Sequence, residues 1–210
     1  MRRWLLAVGV ASAAFGFGQT KYLVWVGGKK AGMATLLQKV LPDGSKSVQL
    51  SMSLQLGASA ATLRSESTYD AKGVPVRKFQ ETSVPSQKTR RTLIVTFDAK
   101  GANAVIDLNG KRSTKQIPLP ETAERADVTE FWFIRDKPKV GTTAKAYHFD
   151  LETMSWELVA TTYAGVVELT IGGKKVKANK TSSDEGVAFL DDAGLPLRLE
   201  LTNAALERIW

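Results

Sequence analysis

Ser47-Val48-Gln49-Leu50-Ser51-Met52-Ser53-Leu54-Gln55-Leu56 is the stretch that decides the fold class. Val48, Leu50, Met52, Leu54 and Leu56 alternate with Ser47, Gln49, Ser51, Ser53 and Gln55. Successive side chains of a strand point to opposite faces, so one face is buried and the other is wet. That is the pattern of an antiparallel sheet covered on one side.

Outward from this strand the chain reads as hairpins. Residues 21–26 form a strand, Gly27-Gly28-Lys29-Lys30 turns it, and residues 31–40 return to a second turn at Pro42-Asp43-Gly44. Residues 60–69 are more polar, as an edge or splayed strand would be. Residues 74–79 carry Pro75 near their start and are placed at an edge. Residues 82–91, polar and interrupted by Pro85, read as a loop or bulge. Residues 102–108 and 111–117 flank Asn109-Gly110, a strong two-residue hairpin signal. Asp70-Ala71-Lys72-Gly73 recurs as Asp98-Ala99-Lys100-Gly101, with a relative at Asp191-Asp192-Ala193-Gly194. In each, Asp can bind the turn backbone and Gly can adopt the left-handed conformation that re-enters the sheet. No Gly-Lys-Ser/Thr opens a helix after any strand, so these are β-turns and not phosphate loops.

Beyond Gly141, Lys145, Tyr147 and Phe149 share one face, with Ala146, His148 and Asp150 on the other. Trp156, Leu158 and Ala160 form the next apolar row, followed by Val167, Leu169 and Ile171. Residues 187–190 and 197–201 close the sheet, and the tail to Trp210 ends as a strand or a helical turn. About a dozen short strands at this spacing indicate a single all-β domain over residues 19–210.

One stretch breaks the pattern: residues 127–141, DVTEFWFIRDKPKVG. Asp127 and Glu130 have the spacing of a capping box. Phe131, Trp132, Phe133 and Ile134 follow without a polar break, and a helix apolar all round must be covered on all sides. Pro138 stops it. The expected architecture is therefore mainly β: a curved antiparallel sheet or half-barrel of hairpins, with one short aromatic helix packed in the concave face.

Composition bounds the setting. The chain has 210 residues and no cysteine, which excludes disulfides, thiolate metal sites and a cysteine nucleophile. A domain of this size buries about 70% of its unfolded surface, so no staple is required. Arg2 and Arg3, the apolar run 4–10 and the small residues after it read as a signal peptide over residues 1–18. Cleavage after Gly18 or after Ala13 both fit. The expected location is exported, periplasmic or extracellular. Net charge is +8, or +6 once Arg2 and Arg3 are removed. For an exported protein that charge points to anionic envelope surfaces rather than nucleic acid. Lys174, Lys175, Lys177 and Lys180 are the candidate contact for such a surface, with blocking of edge-to-edge association as the structural account of the same lysines.

Recognisable catalytic chemistry is missing. His148 is the single histidine; Asp150 shares its face, but there is no Gly-x-Ser-x-Gly elbow. The acid pairs Asp184-Glu185 and Asp191-Asp192 sit at turns and read as solvated. No catalytic residue, metal site or cofactor is expected, and the protein is expected to be a monomer.

The order of turns resembles a family of exported bacterial domains of unknown function that are themselves similar to the lipoprotein-localisation carriers LolA and LolB. The residues that carry the likeness are Gly28-Lys29-Lys30-Ala31-Gly32, the Tyr69–Gly73 turn, Val95-Thr96-Phe97-Asp98, Leu119-Pro120 before the aromatic stretch, and residues 191–200. The resemblance implies a sheet folded around a hydrophobic concavity that a helix plugs or gates. The carriers have longer helices, and LolB is anchored through a cysteine that is absent here.

The function expected is a non-catalytic binding module for an apolar or lipid-like ligand. Phe131, Trp132, Phe133, Tyr147, Phe149 and Trp156 are the candidate lid and cavity residues, and a cavity of several hundred Å3 is anticipated. A structural or interaction protein of the envelope with a filled core is the alternative, and a hydrolase without a motif comes third.

Overall fold

A computed structural model describes residues 18–120 and 132–210. They form β1 (Gly18–Val26), β2 (Lys29–Val40), β3 (Lys46–Leu56), β4 (Ser59–Tyr69), β5 (Pro75–Val84), β6 (Thr89–Asp98), β7 (Gly101–Leu108) and β8 (Lys111–Pro118). A single helical turn, α1 (Trp132–Asp136), is followed by β9 (Thr143–Asp150), β10 (Ser155–Ile171), β11 (Lys174–Ser182), β12 (Gly186–Leu190), β13 (Pro196–Leu201) and β14 (Ala204–Ile209). All of the strands lie in one antiparallel sheet, in the order β8-β7-β6-β5-β4-β3-β2-β1-β14-β13-β12-β11-β10-β9. The terminal strands β1 and β14 are neighbours, with Tyr22 opposite Arg208 and Val24 opposite Leu206. The sheet is open: no backbone ladder joins β8 to β9 among the described residues.

Local chemistry sets the hairpins. Gly27-Gly28, Asn109-Gly110 and Gly172-Gly173 each hold two consecutive residues at positive φ, the backbone that matches the twist of the flanking strands. Asp70 Oδ1 accepts the N–H groups of Lys72 and Val74, both at 2.9 Å. Asp191 Oδ1 accepts those of Ala193 at 3.0 Å and Leu195 at 2.8 Å. Asp98 does the same for Lys100 and Gly101.

Three apolar clusters fill the interior. The largest takes the inner faces of β1–β4, with Leu199 of β13 and Leu206 of β14; Tyr22, Leu36, Leu50 and Tyr69 are its bulk. The second sets Leu93, Val95, Ala102 and Ala104 of β6–β7 against Phe149, Leu151 and Met154 at the β9–β10 turn. Strands from near the two ends of the sheet thus pack face to face through side chains, which curls the sheet toward a barrel. The third joins Ile171 and Ala178 to Phe189 and Leu197. A register shift at Tyr163/Gly165 bends β10, so its first half serves the second cluster and its second half the third.

Several expectations change. β4 and β5 are interior strands, each paired on both sides. Pro75 is tolerated because it is the first residue of β5 and lies where the register shifts at Thr68/Tyr69, so no ladder donor is lost. The polarity of β4 has a different cause: Ser65 and Ser67 adjoin Gln80 and Lys78, both 4% exposed, on the inner face. Residues 82–91 are no long loop. They finish β5, turn through Pro85–Gln87 with Lys88 at φ 50°, and begin β6. The tail is strand β14. The expected aromatic helix is one turn among the described residues, and Asp127, Glu130 and Phe131 lie outside them. Residues 1–17, which hold nearly all of the expected signal peptide, lie outside them as well.

Candidate functional site

The hairpin β9–β10 is used on both faces. Cross-strand pairing sets Phe149 opposite Trp156 and His148 opposite Glu157. On one face Phe149, Trp156 and Phe97 form a three-ring cluster with centroids 5.1–5.6 Å apart. Phe149 is 1% exposed, Phe97 and Trp156 pack partly buried against it, and none of the three borders the cavity next to Tyr147. The aromatic residues expected to hold ligand therefore divide. Phe149 and Trp156 are core, because β6 and β7 curl over to cover them. Tyr147, Trp132 and Phe133 border a cavity.

The cavity has a volume of about 160 Å3, well below the size anticipated for a lipid carrier. Its wall is built from Ala144 and Ala146 of β9, Val159 and Thr161 of β10, Thr181 of β11, and Ala188 and Leu199 of β12–β13. Ala188 faces both Thr181 and Leu199 in register, and Leu199 faces Leu206, so the wall continues the inner face of the main core. Alanine at positions 144, 146 and 188 is what leaves the space open. Trp132 and Phe133 of α1 border the remaining side. The Phe133 ring lies 5.3 Å from that of Tyr163, whose hydroxyl donates to Asn179 Oδ1 at 2.9 Å. Trp132 is half-buried and meets Phe133 edge-on at 6.2 Å.

The cavity has one polar end. His148, Ser182, Ser183 and Glu185 line it. Glu185 sits in the tight β11–β12 turn closed by hydrogen bonds between Ser183 and Gly186, and its own N–H donates to Ser183 Oγ. Burial pushes the Glu185 carboxyl above its usual range; His148 pulls it back, and Asp184, Glu157 and Asp150 push it further up. Asp150, which the strand pattern sets on the face of His148, is a turn clamp: its Oδ1 accepts the N–H groups of Glu152 and Thr153. The sequence places His148 on a strand and reads Glu185 as a solvated turn acid. Nothing local in the sequence distinguishes them, since their proximity depends on β9–β10 lying across β11–β12. Among the described residues, no group of three or more His, Asp or Glu is arranged to hold a metal ion.

The four lysines do not make one patch. Lys174, Lys175 and Lys177 are exposed, with Lys175 in an ion pair to Glu168 at 2.9 Å. Lys180 is half-buried and lies 5.9 Å over the Phe189 ring.

No family model and no curated protein matches the chain. Solved structures do. A β-barrel-like protein of domain of unknown function DUF1849 from Brucella abortus aligns over 94% of this chain and 98% of its own, at 11% identity and a TM-score of 0.52. A DUF1089 family protein from Pseudomonas aeruginosa aligns over 94% and 95%, at 14% identity and a TM-score of 0.38. The first likeness is one of fold: a large antiparallel sheet in a barrel-like form.

Proposed function

We propose that this chain is an exported binding module of the cell envelope that holds a small apolar ligand and performs no catalysis. The observation that carries the reading is the cavity of about 160 Å3 on the inner face, bordered by Trp132 and Phe133. Cavities of about 150 Å3 with apolar walls stay dry and admit a molecule the size of benzene. A whole acyl chain does not fit, so the ligand is a small molecule or the tip of a longer amphiphile. Trp132 and Phe133 act as the lid in this reading, with Phe133 as its anchor on Tyr163. The likeness to LolA and LolB supports a lidded concavity, and the basic leader at residues 2–3 with its apolar run supports export.

Native mass spectrometry of protein extracted from cells tests it. A small bound mass is expected on the wild type and is expected to vanish from Ala188→Leu, which fills the wall. A clean apo mass for the wild type would sink the reading. One observation favours a second reading, a filled envelope scaffold: three apolar clusters occupy most of the interior. In that case Ala188→Leu raises the melting temperature and alters nothing else.

A further inference from the structure

Ligand class is written in the charges around the cavity. The chain carries 29 Lys and Arg residues, yet among the described residues none lines this space. Among the described residues the titratable groups that line it are Tyr147, His148 and Glu185. Glu157 stands opposite His148 on β10, Asp184 precedes Glu185, and Asp150 closes the β9–β10 turn. Carboxylates therefore surround a single imidazole at the polar end, inside a protein that is otherwise strongly basic. Two aromatic rings, Trp132 and Phe133, border the same space, and the face of such a ring attracts a cation. A carboxylate or phosphate headgroup would meet like charge there, and no Lys or Arg fork lines the space among the described residues.

We propose that the cavity selects an amphiphilic amine: a small apolar body against Ala144, Val159 and Ala188, and a positively charged head at Glu185. The proposal rests on the cavity being a binding site. It narrows the ligand from apolar molecules in general to those with a cationic head, and it excludes free fatty acids. Binding such a head would hold Glu185 ionised. Affinity for the amine therefore falls as pH drops, because Glu185, whose carboxyl burial holds above its usual range beside His148, Glu157, Asp184 and Asp150, gains a proton.

The test is a calorimetric titration of the full chain with three probes of one shape: benzylamine, benzyl alcohol and benzoate. Benzylamine is expected to bind about tenfold more tightly than benzyl alcohol, the worth of one charge-assisted hydrogen bond, with benzoate weakest. Glu185→Gln should abolish the preference for the amine, so that benzylamine and benzyl alcohol bind alike. Should that variant fail to fold, the wild-type profile between about pH 8 and about pH 5 decides: benzylamine weakens and benzyl alcohol does not. Equal affinities, a flat benzylamine profile or tighter benzoate binding would overturn the amine head while leaving the cavity a binding site. Binding of none of the three would overturn the amine and the binding module together.

Discussion

Strands β1–β4 and the hairpin β9–β10 belong to one sheet and obey different rules. β3 buries Val48, Leu50 and Met52 and turns Ser51, Ser53 and Gln55 outward. β9 is covered differently. Phe149 packs against β6–β7 and its own turn, with Lys145 of the same face exposed, while Ala146 and His148 border the cavity with residues of β11–β13. The first region is a layer with water on one side. The second has protein on both sides at its turn end, and there small residues, a histidine and a half-buried carboxylate meet. A region covered on both faces can enclose a site; a region covered on one cannot.

The sharpest way to break this contrast is at the ring cluster. Phe149→Ala is expected to cost about 3–5 kcal/mol, read from chemical denaturation, because it empties the contact that holds the inserted hairpin to β6–β7. A cost under about 1 kcal/mol would mean that the hairpin is not fixed there. In the layered region the corresponding lesion is one of space. A Cβ on Gly32 would lie 1.9 Å from Ser53 O, so Gly32→Ala forces β2 and β3 apart at about 1–3 kcal/mol. Trp132→Ala should cost less, about 1 kcal/mol, since the residue is only partly buried. A loss as large as that of Phe149→Ala would make Trp132 a core plug and not a lid.

Glu185 gives a pH-dependent difference. Its carboxyl is raised by burial, so the folded state binds its proton more tightly than the unfolded state does. Stability attributable to it therefore falls as pH rises from the ordinary carboxylate range, and Glu185→Gln removes that fall. Melting temperatures of the two proteins should diverge in favour of the variant as pH increases through that range; parallel curves would show that Glu185 is solvated after all. The smallest effect belongs to the surface. Lys175→Ala breaks an exposed pair with Glu168 and should leave the melting temperature unchanged.

The legibility of the sequence follows the same division. The alternation in residues 47–56, the Gly27-Gly28 and Asn109-Gly110 hairpins and the Asp-initiated turns are local signals, and the structure has each in its expected place. Reading β4 and β5 as edges failed because polarity and Pro75 are edge markers only when the neighbouring strand is unknown. Of the site, Trp132, Phe133 and Tyr147 were legible as aromatic residues, but not which of their companions would be core. His148, Glu185, Ala146 and Ala188 were not legible at all.

By itself the sequence determined the two-residue period of the strands, the places of the Gly-Gly, Asn-Gly and Asp-initiated turns, and the core-bound face of residues 47–56. These depend on residues within a few positions of one another. Tertiary structure alone decided that the turn end of β9–β10 is covered on both faces, that Phe149 is core with Trp156 packed against it, and that a space of about 160 Å3 remains with Glu185 among its lining. The reason is geometric. Whether a strand's second face meets water or protein depends on how far the sheet curls, and that is set by packing between strands distant in sequence.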